Sequence, residues 1–125
     1  MKFPFFIVNA FCKNSFSGNP AGVCILEEWL STNELQNIAS QTCLPETAFV
    51  FPNNNNSWSI RWFTPITEVD LCGHATLAAA HVLFDEGAIG LSDSLSFSSF
   101  MGKIETKLLA NKSISLNLPA MHLGK

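Results

Sequence analysis

Charged side chains are scarce in this sequence, and its basic ones are scattered singly. Lys and Arg together number 7 and Asp and Glu 10, so charged residues make up 14% of the 125 residues and the formal net charge is −3. An average soluble domain carries about 25% charged residues. Without a basic stripe the chain lacks the means to neutralise a row of phosphates, which argues against nucleic acid as a partner. The shortage of charge also predicts that part of the surface contacts another protein surface.

Closely spaced cysteines and long apolar runs are also missing. Cys12, Cys24, Cys43 and Cys72 lie far apart and form no CxxC pair, so neither a zinc site nor a redox motif is expected. No apolar run approaches the ~20 residues of a membrane-spanning helix, and the apolar start of the chain lacks a small-residue cleavage site. We therefore expect a cytoplasmic protein with reduced thiols, no metal and no membrane partner.

Segments rich in β-forming residues dominate what is present, and turn formers separate them. Residues 53–56 are all Asn and are predicted to form the tip of a hairpin. Near the C-terminus, Ile114 and Leu116 alternate with polar residues, which indicates a strand with one face in the core. The predicted strands cover residues 5–11, 22–26, 47–51, 58–64, 95–100, 103–109 and 113–118.

Two helices are predicted between these strands. Ser31 followed by Glu34 is a capping box, and apolar residues then recur at helical spacing until about Thr42. Residues 75–84 are apolar on nearly every side, which predicts a helix buried all round that ends at Gly87. The whole chain is therefore predicted to be one α+β domain, in which a mainly antiparallel curved sheet or barrel wraps around one central hydrophobic helix.

The segment Asp-Leu-Cys-Gly-His-Ala-Thr at residues 70–76 is the most distinctive feature, because a polar turn runs directly into the apolar helix. The first N–H groups of a helix lack intrahelical partners, and the helix dipole adds about half a positive charge, so a carboxylate could bind there. Gly73 would let the ligand approach the backbone closely, and His74 could hydrogen-bond it or move a proton. In the alternative interpretation, Gly73 only forms a turn and His74 caps the helix. Asp70 either orients the loop or is simply solvated.

Glu46 is the candidate acid or base, because it stands where the chain enters an apolar strand. Burial would disfavour the ionised form of this side chain and so make it better suited to transferring a proton near neutral pH. The plainer interpretation is a surface Glu at the mouth of a strand. Cys72 is either a second acid or base or a small buried hydrophobic residue. Asn19 could supply a substrate-binding amide or belong to a structural turn, and His81 is predicted to be a hydrogen-bonded core residue.

Five motifs in this order resemble the phenazine-biosynthesis (PhzF-like) family, which has a diaminopimelate epimerase-like fold. The resemblance extends from about residue 5 to residue 120, and it implies two similar halves with the active site in the cleft between them. This chain would supply the N-terminal half. The motifs are VNAF at residues 8–11, FSGNPA at 16–21, LPETAF at 44–49, RWFTP at 61–65 and EVDLCGHAT at 68–76.

The resemblance implies a cofactor-independent isomerase or epimerase in which Glu46 moves a proton within a small carboxylated substrate. Gly73 and His74 would hold that substrate, with Asn19, Cys72 and Asp70 as further candidate contacts. Family members are longer, and the missing half would leave an apolar cleft wall exposed, so we expect a homodimer through that face. The alternatives are a non-catalytic remnant, a small-anion-binding module, or one half of a split or truncated isomerase.

Overall fold

The computed structural model describes residues 3–10, 19–53, 57–87, 94–109 and 114–117. These residues form eight strands that belong to one sheet, together with two helices. The elements are β1 (Phe5–Ala10), β2 (Asn19–Ile25), α1 (Thr32–Thr42), β3 (Glu46–Pro52), β4 (Ser57–Phe63), β5 (Glu68–Val69), α2 (Gly73–Asp85), β6 (Ser94–Ser99), β7 (Gly102–Leu108) and β8 (Ile114–Asn117). The sheet order is β1-β2-β3-β4-β6-β7-β8, and β5 pairs with β4 on the same edge as β6.

Most neighbouring strands are antiparallel, as predicted. The antiparallel pairing of the expected hairpin is confirmed, because Thr47 of β3 lies opposite Phe63 of β4 and Pro52 lies opposite Trp58. Residues 54–56 of its predicted tip lie outside the described residues. Two pairings were not foreseen: β2 with β3 and β4 with β6 are both parallel. A parallel neighbour requires a crossover connection, and α1 and α2 lie in those two crossovers. The two-residue strand β5 was also missed, because two residues are too few to show a periodic pattern.

Helix α2 lies inside the curve of the sheet, where it contacts β1, β2 and β3 on one side and β7 and β8 on the other. Its small side chains let these strands approach closely, and its buried members are Ala75, Thr76, Ala78, Ala79, Ala80, Val82 and Leu83. Gly87 follows the helix with a positive φ of 70°, which confirms the predicted stop.

The prediction of a helix buried all round fails at one position. The side chain of His81 is 54% exposed, and its Nε2 lies 3.5 Å from Asp85 Oδ2. Both residues line a groove beside β1, which is an edge strand. The assignment of His81 to the core was therefore wrong, because the curled sheet stays open along this side of α2.

Helix α1 packs on the opposite, outer side of β3 and β4. Ser31 Oγ accepts a hydrogen bond from the Glu34 amide at 3.1 Å, and the Ser31 amide donates to Glu34 Oε1 at 2.9 Å, so the capping box is confirmed. Leu35 and Ala39 are fully buried in a second apolar cluster, which also contains Phe49. The sheet is thus covered by one helix on each face.

Candidate functional site

Glu46 begins β3 on the face that looks toward α2. Successive residues of a strand point to opposite faces, so residues two apart share a face. Ala48 and Val50 pack in the cluster around α2, whereas Phe49 packs in the cluster beneath α1. Glu46 precedes Ala48 by two residues and is half-buried. The strand therefore directs this carboxyl group to the inner side of the sheet.

Cys72 is the N-cap residue of α2, since its backbone is extended (φ −144°, ψ 100°) and the helix begins at Gly73. Its Sγ accepts a hydrogen bond from the amide of Ala75 at 3.4 Å. The amide of His74 also lies close to this thiol and favours its ionised form. The sulfur thus occupies the place that a Ser, Thr or Asp oxygen takes in most N-caps.

Glu46 and Cys72 meet at this end of α2. The pKa of the Cys72 thiol is raised from its ordinary 9.0 to about 11, and burial is the largest cause. The charge of the nearby Glu46 and hydrogen bonding to its side chain contribute to this rise, and the amides of Ala75 and His74 oppose it. The thiol is therefore protonated near neutral pH, and the Glu46 side chain lies close enough to influence it. Two of the residues singled out from the sequence are thus neighbours at the start of α2.

A buried hydrogen-bonded chain lies behind the N-cap. The indole Nε1 of Trp62 donates to Thr76 Oγ1 at 2.9 Å, and Thr76 Oγ1 donates to the Cys72 carbonyl at 2.7 Å. Trp62 is 1% exposed and Thr76 is fully buried. Sequence reasoning missed this pair, although a threonine within an otherwise apolar helical segment was a usable signal, because a buried hydroxyl needs a partner.

The other predicted site residues are distributed around this centre. Gly73 is the first residue of α2, and a Cβ built on it would have Leu116 Cδ2 at 3.6 Å as its nearest neighbour among the described residues. His74 follows and is half-buried. The backbone of Asn19 opens β2 opposite Ala10, and its side chain lies outside the described residues.

Asp70 is exposed and lines a groove of about 600 Å³. The groove lies where the edge of β4 passes from β6 to β5, and the lining residues that the structure describes do not include Glu46 or Gly73. Beside Asp70, Arg61 donates two hydrogen bonds of 2.7 Å to the carboxylate of Glu68. Asp70 thus faces a different part of the surface from the pair formed by Glu46 and Cys72.

The described residues contain neither a candidate metal cluster nor a helix that could span a membrane. Within the described ranges, His, Cys, Asp and Glu side chains do not gather in any group of three or more that could hold a metal ion. Neither of the helices in this part of the chain has the length and apolar character needed to cross a membrane.

Comparison with known proteins identifies the family of the chain. The family model described as "Phenazine biosynthesis-like protein" matches residues 8–123. The chain belongs to the phenazine biosynthesis-like family. The resemblance inferred from the five motifs is therefore confirmed.

The family relatives are longer than this chain. A protein from Halalkalibacterium halodurans named an uncharacterized isomerase is 42% identical over 120 residues, which are 96% of this chain and 44% of that protein. The crystal structure of an Enterococcus faecalis protein of the PhzF family matches with 44% identity and a TM-score of 0.81, over 88% of this chain and 42% of the other. The chain thus spans less than half the length of these relatives.

A more distant structure shows how widely the fold is shared. A hydroxyproline epimerase from Agrobacterium vitis matches with a TM-score of 0.61 at 9% identity, over 79% of this chain and 38% of that one. At this identity the likeness concerns the fold alone. The predicted α+β fold of the epimerase-like type is confirmed.

Proposed function

We propose that this chain forms one wall of an isomerase site in which Glu46 exchanges a proton with a carbon atom of a small carboxylated molecule. The observation that carries the proposal is that Glu46 lies on the α2 face of β3 and near Cys72, the residue that caps α2. This position sets a proton-accepting group beside a helix N-terminus, where amide N–H groups and the helix dipole favour a bound carboxylate.

The proposed step keeps all electrons within the substrate. The Glu46 carboxylate takes a proton from a carbon near the substrate carboxylate, the electron pair of the broken C–H bond stays on the substrate as an enolate-like anion, and the proton then returns to another carbon or another face. The N-terminus of α2 stabilises the negative charge that develops. With a pKa of about 11, Cys72 supplies a hydrogen bond or a proton near neutral pH and does not act as the base. The step as written uses no metal or organic cofactor.

Deuterium exchange tests this proposal directly. A panel of small carboxylic acids with an acidic C–H bond would be incubated with the protein in D2O, and deuterium uptake would be followed by NMR. We expect uptake with the wild type and with Glu27→Gln, a matched change at an exposed position, but not with Glu46→Gln. Equal uptake by Glu46→Gln would remove Glu46 from the mechanism. Binding by the wild type without any exchange would instead favour a small-anion-binding module.

The opposite wall of the site is proposed to come from a second copy of the chain. The chain covers less than half of its relatives, and several large apolar side chains are exposed, including Ile7 at 62%, Ile66 at 86% and Phe100 at 91%. Exposed apolar surface is costly in water, which favours pairing about a two-fold axis. Light scattering at micromolar concentration should give a dimer mass. A monomer that gains exchange activity when the C-terminal half of a relative is added would support a split isomerase instead.

A cytoplasmic location stays a prediction. Cys24, Cys43 and Cys72 are free thiols in the described part of the chain, which agrees with a reducing compartment. Fractionation of cells that express a tagged chain would test it, and enrichment with an oxidising compartment would contradict it.

A further inference from the structure

We infer that Trp62 and Thr76 are positioning residues that aim the amide N–H of Gly73 at the bound carboxylate. The inference rests on the function proposed above, and it adds a residue pair that would act through the backbone of the α2 N-terminus. Its basis is the hydrogen-bonded chain from Trp62 through Thr76 to the carbonyl of Cys72.

The Cys72 carbonyl is held twice by one residue. It accepts a hydrogen bond from the Thr76 amide at 3.0 Å and another from Thr76 Oγ1 at 2.7 Å. A trans peptide unit is planar, so its N–H points opposite to its C=O, and no cis peptide bond occurs in the described chain. Because the Cys72 carbonyl is directed into the helix, the Gly73 N–H is directed out of its N-terminal end.

Trp62 determines which way the Thr76 hydroxyl points. An indole N–H can only donate, so the Thr76 oxygen must accept from it, and the single hydrogen of the hydroxyl is left for the Cys72 carbonyl. A helical threonine often bonds the carbonyl four residues earlier, but it can also rotate away to other partners. The indole removes that freedom.

Burial makes this arrangement hard to replace. Trp62 is 1% exposed and Thr76 is fully buried, so water has little access to either partner if the other is removed. The first turn of a helix otherwise frays readily, which would blur the direction of its free amides. A donor fixed before the ligand arrives binds an anion better than one that must be ordered during binding. Trp62 and Thr76 therefore fix the direction of the Gly73 amide before a ligand binds.

The test compares Thr76→Val, which keeps the shape of the side chain but loses the hydroxyl, with Thr76→Ser, which keeps the hydroxyl. The full chain would be ¹⁵N-labelled, and the order parameter of the Gly73 amide would be measured without ligand. We expect a rigid value of about 0.85 for the wild type and Thr76→Ser, and a fall toward about 0.6 for Thr76→Val. Trp62→Phe, which loses the indole N–H together with part of the ring, should lower the value in the same direction. Unchanged order parameters in both Thr76→Val and Trp62→Phe would overturn the inference.

A titration with benzoate tests whether the hydrogen-bonded chain from Trp62 to Cys72 affects ligand binding. The Gly73 amide resonance should move on adding benzoate to the wild type and to Thr76→Ser, and Thr76→Val should bind about tenfold more weakly, the effect of one lost hydrogen bond. Equal affinity of wild type and Thr76→Val would contradict the inference. If the Gly73 resonance of the wild type does not shift on adding benzoate, the proposed anion site is contradicted. The order parameters would still show whether Trp62 and Thr76 hold the Gly73 amide rigid.

Discussion

A methyl group added at Gly73 should separate folding from ligand binding. In Gly73→Ala the new Cβ would lie 3.6 Å from Leu116 Cδ2, its nearest described neighbour, which is ordinary van der Waals contact. Gly73 is the first residue of α2, and its φ lies outside the left-handed region. Alanine is therefore tolerated by the backbone, and the fold does not require glycine here.

The two expected effects have opposite signs. Alanine is a better helix former than glycine by up to ~1 kcal/mol in a helix interior, and less at a terminal position, so the free energy of unfolding should stay the same or rise slightly. The methyl group would however stand beside the amide that is proposed to contact the carboxylate. Loss of one such hydrogen bond corresponds to about 1 to 1.5 kcal/mol, or roughly a five- to tenfold weaker Kd for benzoate.

Urea denaturation and benzoate titration of the same samples would measure both effects. Gly22→Ala is the matched control, because a Cβ at Gly22 would lie 2.8 Å from Phe5 Cζ and 3.0 Å from Leu44 Cδ1. That crowding should destabilise the fold by about 1 to 2 kcal/mol, since the Phe5 ring must move. Gly73→Ala protein that binds benzoate as tightly as wild type, or that loses more than about 1 kcal/mol of stability, would refute the reasoning.

Three further outcomes concern stability. Ser31→Ala removes the acceptor for the Glu34 amide and should lower the unfolding free energy, measured by urea denaturation, by about 1 kcal/mol. An unchanged unfolding free energy would mean that this cap does not stabilise α1. Leu83→Ala opens a cavity at a fully buried position of α2 and should cost about 2 to 5 kcal/mol; a cost below about 1 kcal/mol would contradict the central place of this helix. Burial raises the pKa of Cys24 and Cys72 to about 11 from 9.0, so the stability that comes from keeping them protonated is complete below pH 9 and is lost as pH rises toward 11. The urea midpoint measured from pH 8 to 11 should therefore fall less steeply in the Cys72→Ser variant than in wild type. Parallel curves of midpoint against pH would contradict the raised pKa of Cys72.

The proximity of Glu46 and Cys72 also limits what the thiol can do. Its raised pKa follows first from burial, and the neighbouring carboxylate adds to it, so a thiolate is disfavoured twice. Reactive cysteines normally have a lowered pKa. Cys72 therefore suits a donor and helix cap and not the proton acceptor of the proposed step.

Local patterns in the sequence determined most secondary-structure elements of this protein. Capping by Ser31 and Glu34, alternation in β8 and the apolar run of α2 each depend on residues close together in the chain, so the elements they predict were confirmed. The ordered motifs were enough to indicate the family and its epimerase-like fold. They also singled out Glu46 and Cys72 before any geometry was known.

Only the tertiary structure decided which of these residues meet. The parallel pairing of β2 with β3, the bond from Trp62 to Thr76 and the exposure of His81 depend on how far the sheet curls around α2. Strand neighbours and sheet curvature arise from packing between residues far apart in the chain, and a periodic pattern carries no record of that packing. For the same reason the sequence indicated Glu46 and the N-terminus of α2 as separate candidates, but only the folded sheet brings Glu46 close to the cap of α2.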